Sequence, residues 1–333
     1  MNLRVLPFGL CLAALASPHS AAAQAPTGLT PLSTEAKALL ASIPDEHTPP
    51  PERHYFRSNE WFHDLLASSL RGRGGAYVGV GADQNYTMAA LAGSELLLLI
   101  DYDPKIPWVH RIYGALVPAS ATPDELVAKF APENVDASMQ LIRESLPGDP
   151  QAGDIAQHFK RLNKEWYRYV QRVRALSVSW LGDATLYAHV RALFQQGRVV
   201  SKNGDLTATG TIRGIADVAS KLHTTVRVVY FSNAEQFFPY NKTFRESMEL
   251  LPTDERSLVV RTVHHGRLTN AKADDPTEWH YMVQDFPDFK ARMAAGYHHS
   301  FRFVHDIVTH RAETASGDAL SVLGSKVPID PGR

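Results

Sequence analysis

The sequence predicts an α/β fold: a mainly parallel sheet with helices on both faces. Three observations carry this reading. The segment Gly75–Asp103, GAYVGVGADQNYTMAALAGSELLLLIDYD, reads as a strand, a glycine turn, a helix and a second strand that ends in acid. Beyond residue 211, short β-branched or apolar runs alternate with helical patterns, as expected of a sheet covered on both faces. Finally, 333 residues with an apolar fraction of 44% suffice for the core of one large domain or two small ones.

The elements follow in chain order. Met1–Ala25 has one cation at Arg4, an apolar run from Val5 to Ala16, and small residues at Ala21-Ala22-Ala23 and Ala23-Gln24-Ala25. This pattern predicts a cleavable leader and a periplasmic or secreted protein. The only cysteine, Cys11, falls inside it, so the mature chain would be free of disulfides and thiolate chemistry. Residues 26–53 read as a Pro-rich lead-in with a short helix, Ser33–Ser42, capped by Ser33 or Thr34. Residues 54–310 form the α/β domain. It opens with a helix over Ser58–Ser69, with Ser58 as N-cap and Trp61, Phe62, Leu65 and Leu66 on the apolar face.

The first strand is Ala76–Val80 and the second ends at Asp101. Residues 122–196 look almost wholly helical, with elements over Asp124–Phe130, Val135–Leu146, Asp154–Val173 and Ala184–Phe194. They predict a helical insertion spanning about 122–200. Strand patterning resumes near Ile212, followed by a helix (Gly214–Leu222), a strand (Thr225–Phe231), a helix (Asn241–Leu250), strands at Ser257–Val263 and Trp279–Gln284, a helix (Asp288–Ala295) and a last strand (Ser300–Val304). The tail 311–333, rich in Gly, Ser, Pro and Asp, reads as disordered.

A formal charge of -1 argues against a nucleic-acid footprint, and no segment after the leader is apolar for long enough to span a bilayer. A small-molecule ligand is therefore the expected partner. The glycine turn points the same way. Gly79 and Gly81 fall where a backbone must turn sharply, and Asp101 follows at about the twenty-residue spacing of an acid that holds a ribose. The third glycine of the dinucleotide fingerprint is replaced by Asp83-Gln84-Asn85, which favours a nucleoside or another small polar ligand over a phosphate cradle.

In order and spacing, the glycine turn, the acid and the polar stretch after the fourth strand resemble the class I S-adenosylmethionine-dependent methyltransferases, a Rossmann-like fold. More closely, Ser58-Asn59-Glu60, Tyr77–Thr87, Ile100-Asp101, Tyr230–Gln236, Leu251-Pro252 and Arg261-Thr262 resemble a poorly characterised bacterial family of methyltransferase-like proteins. The resemblance covers roughly residues 55–305. It implies S-adenosylmethionine as cofactor and methyl transfer as reaction, with Gly79, Gly81, Asp83, Asn85 and Asp101 at the cofactor. It also places Ser232, Asn233 and Glu235, after the fourth strand, among the groups that would meet the donor or acceptor. Arg261, His264 and His265 follow the fifth strand at the same edge, and Glu235 or a neighbouring histidine would orient or deprotonate the acceptor. Glu235 is the candidate general base; its structural alternative is to bond backbone amides of its loop. Asp83 has an alternative as the cap of the following helix.

Two other function classes stay open. Export separates the protein from the compartment where S-adenosylmethionine is made, which favours a non-catalytic periplasmic binding protein on the same fold. Seven of the fifteen histidines follow residue 260, namely His264, His265, His280, His298, His299, His305 and His310, which raises a metal-dependent hydrolase. No HExxH or comparable motif is present, and no metal is predicted. The stripe Lys160, Arg161, Lys164, Arg168 and Arg172 on one predicted helix is either a solvated face or a dock for an anionic substrate.

Overall fold

A computed structural model describes residues 29–268, 279–311, 313–317 and 319–330. The expected leader and Cys11 lie outside these residues. Among the described residues eight strands form one sheet: β1 (Ala76–Val80), β2 (Leu96–Asp101), β3 (Val199–Asn203), β4 (Val226–Tyr230), β5 (Leu258–Val263), β6 (His280–Asp285), β7 (Ala315–Gly317) and β8 (Leu320–Leu323), in the order β3-β2-β1-β4-β5-β6-β8-β7. The first five positions are parallel, and β6 runs antiparallel to β5. β8 pairs parallel with β6, and β7 antiparallel with β8. The fold is a mostly parallel Rossmann-like α/β fold. Strand order reverses between β1 and β4, the place where such sheets open a crevice at their carboxyl ends.

Helices cover both faces. In chain order they are α1 (Thr34–Ala41), α2 (Ala67–Leu70), α3 (Gln84–Ala92), α4 (Ile106–Leu116), α5 (Pro123–Lys129), α6 (Val135–Glu144), α7 (Ala152–Ala175), α8 (Ala184–Gln195), α9 (Thr211–Lys221), α10 (Lys242–Leu250), α11 (Phe286–Ala294) and α12 (Ser300–Thr309). Alternate strand residues feed two cores. Tyr77, Leu97, Leu99 and Val260 pack with α3, α4 and the helical insertion. Val78, Leu98, Ile100 and Val259 pack with α9–α12. Helices α5–α8 occupy the predicted insertion. Trp166 on α7 and Trp180 between α7 and α8 join Tyr113 of α4 in the aromatic centre of the first core, where all three are fully buried. The whole insertion is the crossover between the neighbouring strands β2 and β3. None of the described helices is long and apolar enough to cross a membrane.

Four sequence expectations need correction. Residues 58–62 are not helical: a 3₁₀ turn over His63–Leu66 precedes α2. The Ser58 hydroxyl accepts from the Glu60 amide rather than capping a helix, and Glu60 is drawn toward the sheet by hydroxyls from β4 and β5. The third strand is Val199–Asn203, and Ile212 lies in α9; β3 is a half-buried edge whose sequence, VVSKN, carries little alternation. Ser300–Val304 begins a helix. Phe303, Val304 and Ile307 bury one face of it at helical spacing, and His299 caps it through the Phe301 amide. The tail expected to be disordered contributes β7 and β8 to the sheet. It is held there by the fully buried Arg292, whose guanidinium bonds Asp288, Asp306 and the Val327 carbonyl. A short polar composition does not exclude order when a buried cation supplies the partners.

Gly79 shows how tightly the first βα step is built. A Cβ there would lie 2.0 Å from the Asn85 amide oxygen and 2.5 Å from the Tyr77 ring. Gly79→Ala is expected to cost about 2–4 kcal/mol through this clash. Gly93→Ala, at φ 66° with open space around its Cβ, should cost about 1 kcal/mol. Urea unfolding of the two variants checks the ranking; equal losses would refute the packing argument.

Candidate functional site

A cleft of about 1140 Å³ opens at the carboxyl ends of the parallel strands. Its floor takes Val80 and Gly81 from the end of β1, Ile100 and Asp101 from β2, Gly204 after β3, and Ser232 and Asn233 after β4. The arm preceding the 3₁₀ turn at His63–Leu66 lines it with Arg57, Ser58, Asn59, Glu60 and Trp61. Aromatic rings stand at the mouth: Tyr55, Tyr102 and Phe237 are exposed there, and Trp279 also lines the wall. A large concave site with a few convergent polar groups is the usual form of a small-molecule site.

The glycine turn is positioned by buried side chains behind it. Gly81 has φ 96°, a conformation that L side chains rarely adopt. The Asn85 amide donates to the Val80 carbonyl (3.0 Å) and the Ala82 carbonyl (2.8 Å), and accepts from the Tyr77 hydroxyl (3.0 Å). His110 Nε2 donates to the Gly81 carbonyl (3.0 Å), while its Nδ1 accepts from Tyr86 (2.6 Å). This arrangement is that of a neutral imidazole, and burial pushes the His110 pKa down to about 4.

Of the residues expected at a cofactor, Gly81 and Asp101 face the cleft. Gly79, Asp83 and Asn85 lie behind it. Asp83 is buried and accepts from the Tyr169 hydroxyl (2.8 Å) and the Trp180 indole (3.2 Å), which tie the insertion to the turn. It makes no side-chain cap to α3, so the capping alternative does not hold either. Desolvation pushes its pKa up to about 6, against the pull of those two donors.

Asp101 stands at the end of β2. Desolvation raises its pKa to about 7, opposed by the hydrogen bond from the Asp103 amide (2.8 Å) and reinforced by the Asp103 charge. Asp103 itself is committed to His54 (2.6 Å) and the Lys105 amide. Asp101 is thus the carboxylate of this edge with lone pairs to offer a ligand.

Among the expected catalytic residues, Asn233 lines the cleft, whereas Glu235 and His264 do not. Glu235 is buried beneath the 3₁₀ turn after β4. One oxygen accepts from Tyr240 (2.6 Å) and the other pairs with Arg261, which also reaches Gln284 (2.8 Å). Neither the catalytic reading nor the loop-amide alternative describes it; it locks the second core.

The late histidines disperse. His280 bonds Ser321, His299 caps α12, and no group of three or more metal-ligating side chains occurs among the described residues. From the cationic stripe, Arg172 reaches the cleft, over the Trp61 ring at 3.8 Å, while Lys160 pairs with Asp136 on the surface.

Sequence reasoning missed Glu60. It is buried at the cleft, and its carboxylate accepts from Tyr230, from Ser232 (2.6 Å) and from Thr262 (3.1 Å). Burial raises its pKa, and the three hydroxyls pull it back. Ser232 holds a left-handed φ of 53°, a strained conformation of the kind found at functional turns. The signal available in the sequence was the stretch Ser58-Asn59-Glu60, far from the glycine turn and without a partner of its own.

These elements fall within one stretch of sequence that a family model matches. The chain belongs to the family described as Domain of unknown function (DUF7790), whose model matches residues 55–324. The match runs from the arm lining the cleft to the turn after β8, so the DUF7790 domain includes the glycine turn, Asp101, the Glu60 cluster and the insertion. No curated protein matches the chain.

The pKa shifts set a pH dependence. Folded Asp101 and Asp83 keep protons that unfolded carboxyls lose near pH 4, so each lowers stability as pH rises through its window, up to about 7 and about 6 respectively. His63, His110 and His158, pushed down to about 4 mainly by burial, act oppositely: below pH 6.5 the unfolded chain takes up their protons first. Asp101→Asn removes one opposing contribution. Its stability should then climb more steeply between pH 4.5 and 6.5, by up to about 1.4 kcal/mol per pH unit. Urea denaturation across that range measures the slope, and an unchanged slope would show that Asp101 titrates normally.

Proposed function

We propose that this chain binds an adenosyl ligand in the cleft and acts as an S-adenosylmethionine-dependent methyltransferase. The observation that carries the reading is the placement of Asp101 and Gly81. A carboxylate at the end of β2 and a bare glycine turn at the end of β1 face one cleft, at the switch in strand order where nucleoside ligands bind in sheets of this kind. The residues suit the group. Asp101 accepts from ribose hydroxyls, Gly81 lets the ligand approach the backbone, and the aromatic mouth offers faces for a base to stack on. When bound, the cofactor supplies an activated methyl group. The chain's own part is to orient an acceptor against Ser232 and Asn233 and to exclude water beneath the arm.

Export to the periplasm belongs to the same proposal and rests on the composition of Met1–Ala25. It favours a second reading, a periplasmic protein that keeps the fold and binds a metabolite without chemistry. The engagement of Glu235 by Arg261 and Tyr240 also supports that reading, because the base the resemblance implies is occupied.

Calorimetry decides between them. S-adenosylmethionine and S-adenosylhomocysteine are expected to bind, and Asp101→Asn to weaken both about tenfold through the lost ribose bonds. No heat of binding at millimolar ligand would end the adenosyl reading. Mass spectrometry of the purified protein would then be expected to reveal a different co-purified metabolite.

A further inference from the structure

Resting on the adenosyl reading, we infer that the carboxylate of Glu60 is a charge-reading group that holds a positively charged centre of the ligand over the cleft floor. The argument begins with what surrounds it. Glu60 is 3% exposed and lines the cleft. Its partners are all neutral hydroxyls: Tyr230 on one oxygen, Ser232 and Thr262 on the other. The phenols of Tyr77 and Tyr281 stand close enough to feel its charge. His63, three residues on, is buried with both ring nitrogens unpartnered, and burial keeps it neutral over most of the ordinary pH range. Among the described residues no Lys, Arg or His forms an ion pair with Glu60.

The other buried carboxylates of the second half set the contrast. Glu235 is paired with Arg261, and Asp288 and Asp306 with Arg292. Buried charges are ordinarily paired, since an uncompensated one is costly. Asp83 also lacks a cation but turns inward to Tyr169 and Trp180, and Asp101 is held by backbone amides; Glu60 lacks a cation and lines the cleft. A cationic ligand centre would complete it. Trp279 lines the same cleft, and an aromatic ring is the other surface that attracts a cation; the Trp61 ring already carries Arg172. In an adenosyl ligand the fitting centre is the sulfonium of S-adenosylmethionine, which its neutral thioether product lacks.

Three ligands test this by calorimetry on the full chain. S-adenosylmethionine and sinefungin, an analogue with an amine at the corresponding position, carry the charge; S-adenosylhomocysteine does not. Both cations are expected to bind at least tenfold more tightly than the thioether. Glu60→Gln preserves size but removes the charge and turns one acceptor oxygen into a donor that a hydroxyl can accept by rotating. It should erase that preference while leaving the affinity for S-adenosylhomocysteine within about threefold. A structural role alone would weaken all three ligands together.

Equal binding of the three ligands to the wild-type chain would overturn the inference without any variant. So would a preference that survives in folded Glu60→Gln. Thr262→Val removes one hydroxyl but keeps the charge, and it should keep the preference; losing it there would assign the effect to polarity instead. If none of the three binds, the adenosyl reading fails and this inference falls with it.

Discussion

The fold's central constraint is the turn that closes β1, and it is satisfied from behind. Three carbonyls in succession, those of Val80, Gly81 and Ala82, each accept a hydrogen bond from a side chain held behind the turn. Asn85 takes two and His110 takes the third. An unmade bond to a buried backbone group costs about as much as a whole surface interaction contributes, so both donors are required. Their own placement then imposes further demands. Asn85 needs Tyr77, and the space that only Gly79 leaves, while His110 needs Tyr86. Each demand is met in the core, and on the ligand side the turn presents Gly81 beside the Gln84 side chain.

That division explains why the insertion lies where it does. Asp83 is too buried to bond water, and the insertion supplies its donors from Tyr169 and Trp180. Trp180 in turn packs edge-on against Tyr86 and Tyr113. The crossover between β2 and β3 is therefore long because it acts as the back wall of the turn. On the opposite face the ion pairs of Arg261 and Arg292 fix the 3₁₀ turn after β4, α11, α12 and the chain end. Two rigid faces leave the carboxyl edge of the sheet as the place where side chains are not already committed.

The sequence made the first βαβ step legible because its signals are local. A strand run, a glycine at positive φ and a terminal acid lie within a single stretch, and Asp101 and Gly81 both reach the cleft. Periodicity likewise revealed the insertion helices. It failed where a partner far along the chain decides. Ser300–Val304 is too short an apolar run to separate strand from helix, and the tail is ordered by Arg292 rather than by its own composition. The site errors share that cause. Asp83, Asn85 and Glu235 are hydrogen-bonding residues beside a ligand edge in sequence, and only the positions of Trp180, Val80 and Arg261 show that they face inward. Glu60 was missed for the inverse reason: the hydroxyls that define it come from strands about 170 and 200 residues away.

A distinction between structural and available carboxylates follows, and it rests on partners rather than on burial. Glu60 and Glu235 are equally hidden from water, yet they differ in what neutralises them. Arg261 meets Glu235 with a fixed charge, so that pair gains nothing from a ligand and would be broken only at the high cost of an unpaired buried ion. Hydroxyls meet Glu60 with dipoles, which soften the desolvation penalty without cancelling it. Asp101 is intermediate, held by the amides of Asp103 and Gly81 and repelled by the Asp103 charge. A ligand bearing ribose hydroxyls and a cationic centre relieves both remaining penalties at once. The cleft's affinity would then come from deficits built into the fold, which is how a site with few direct donors can still be selective.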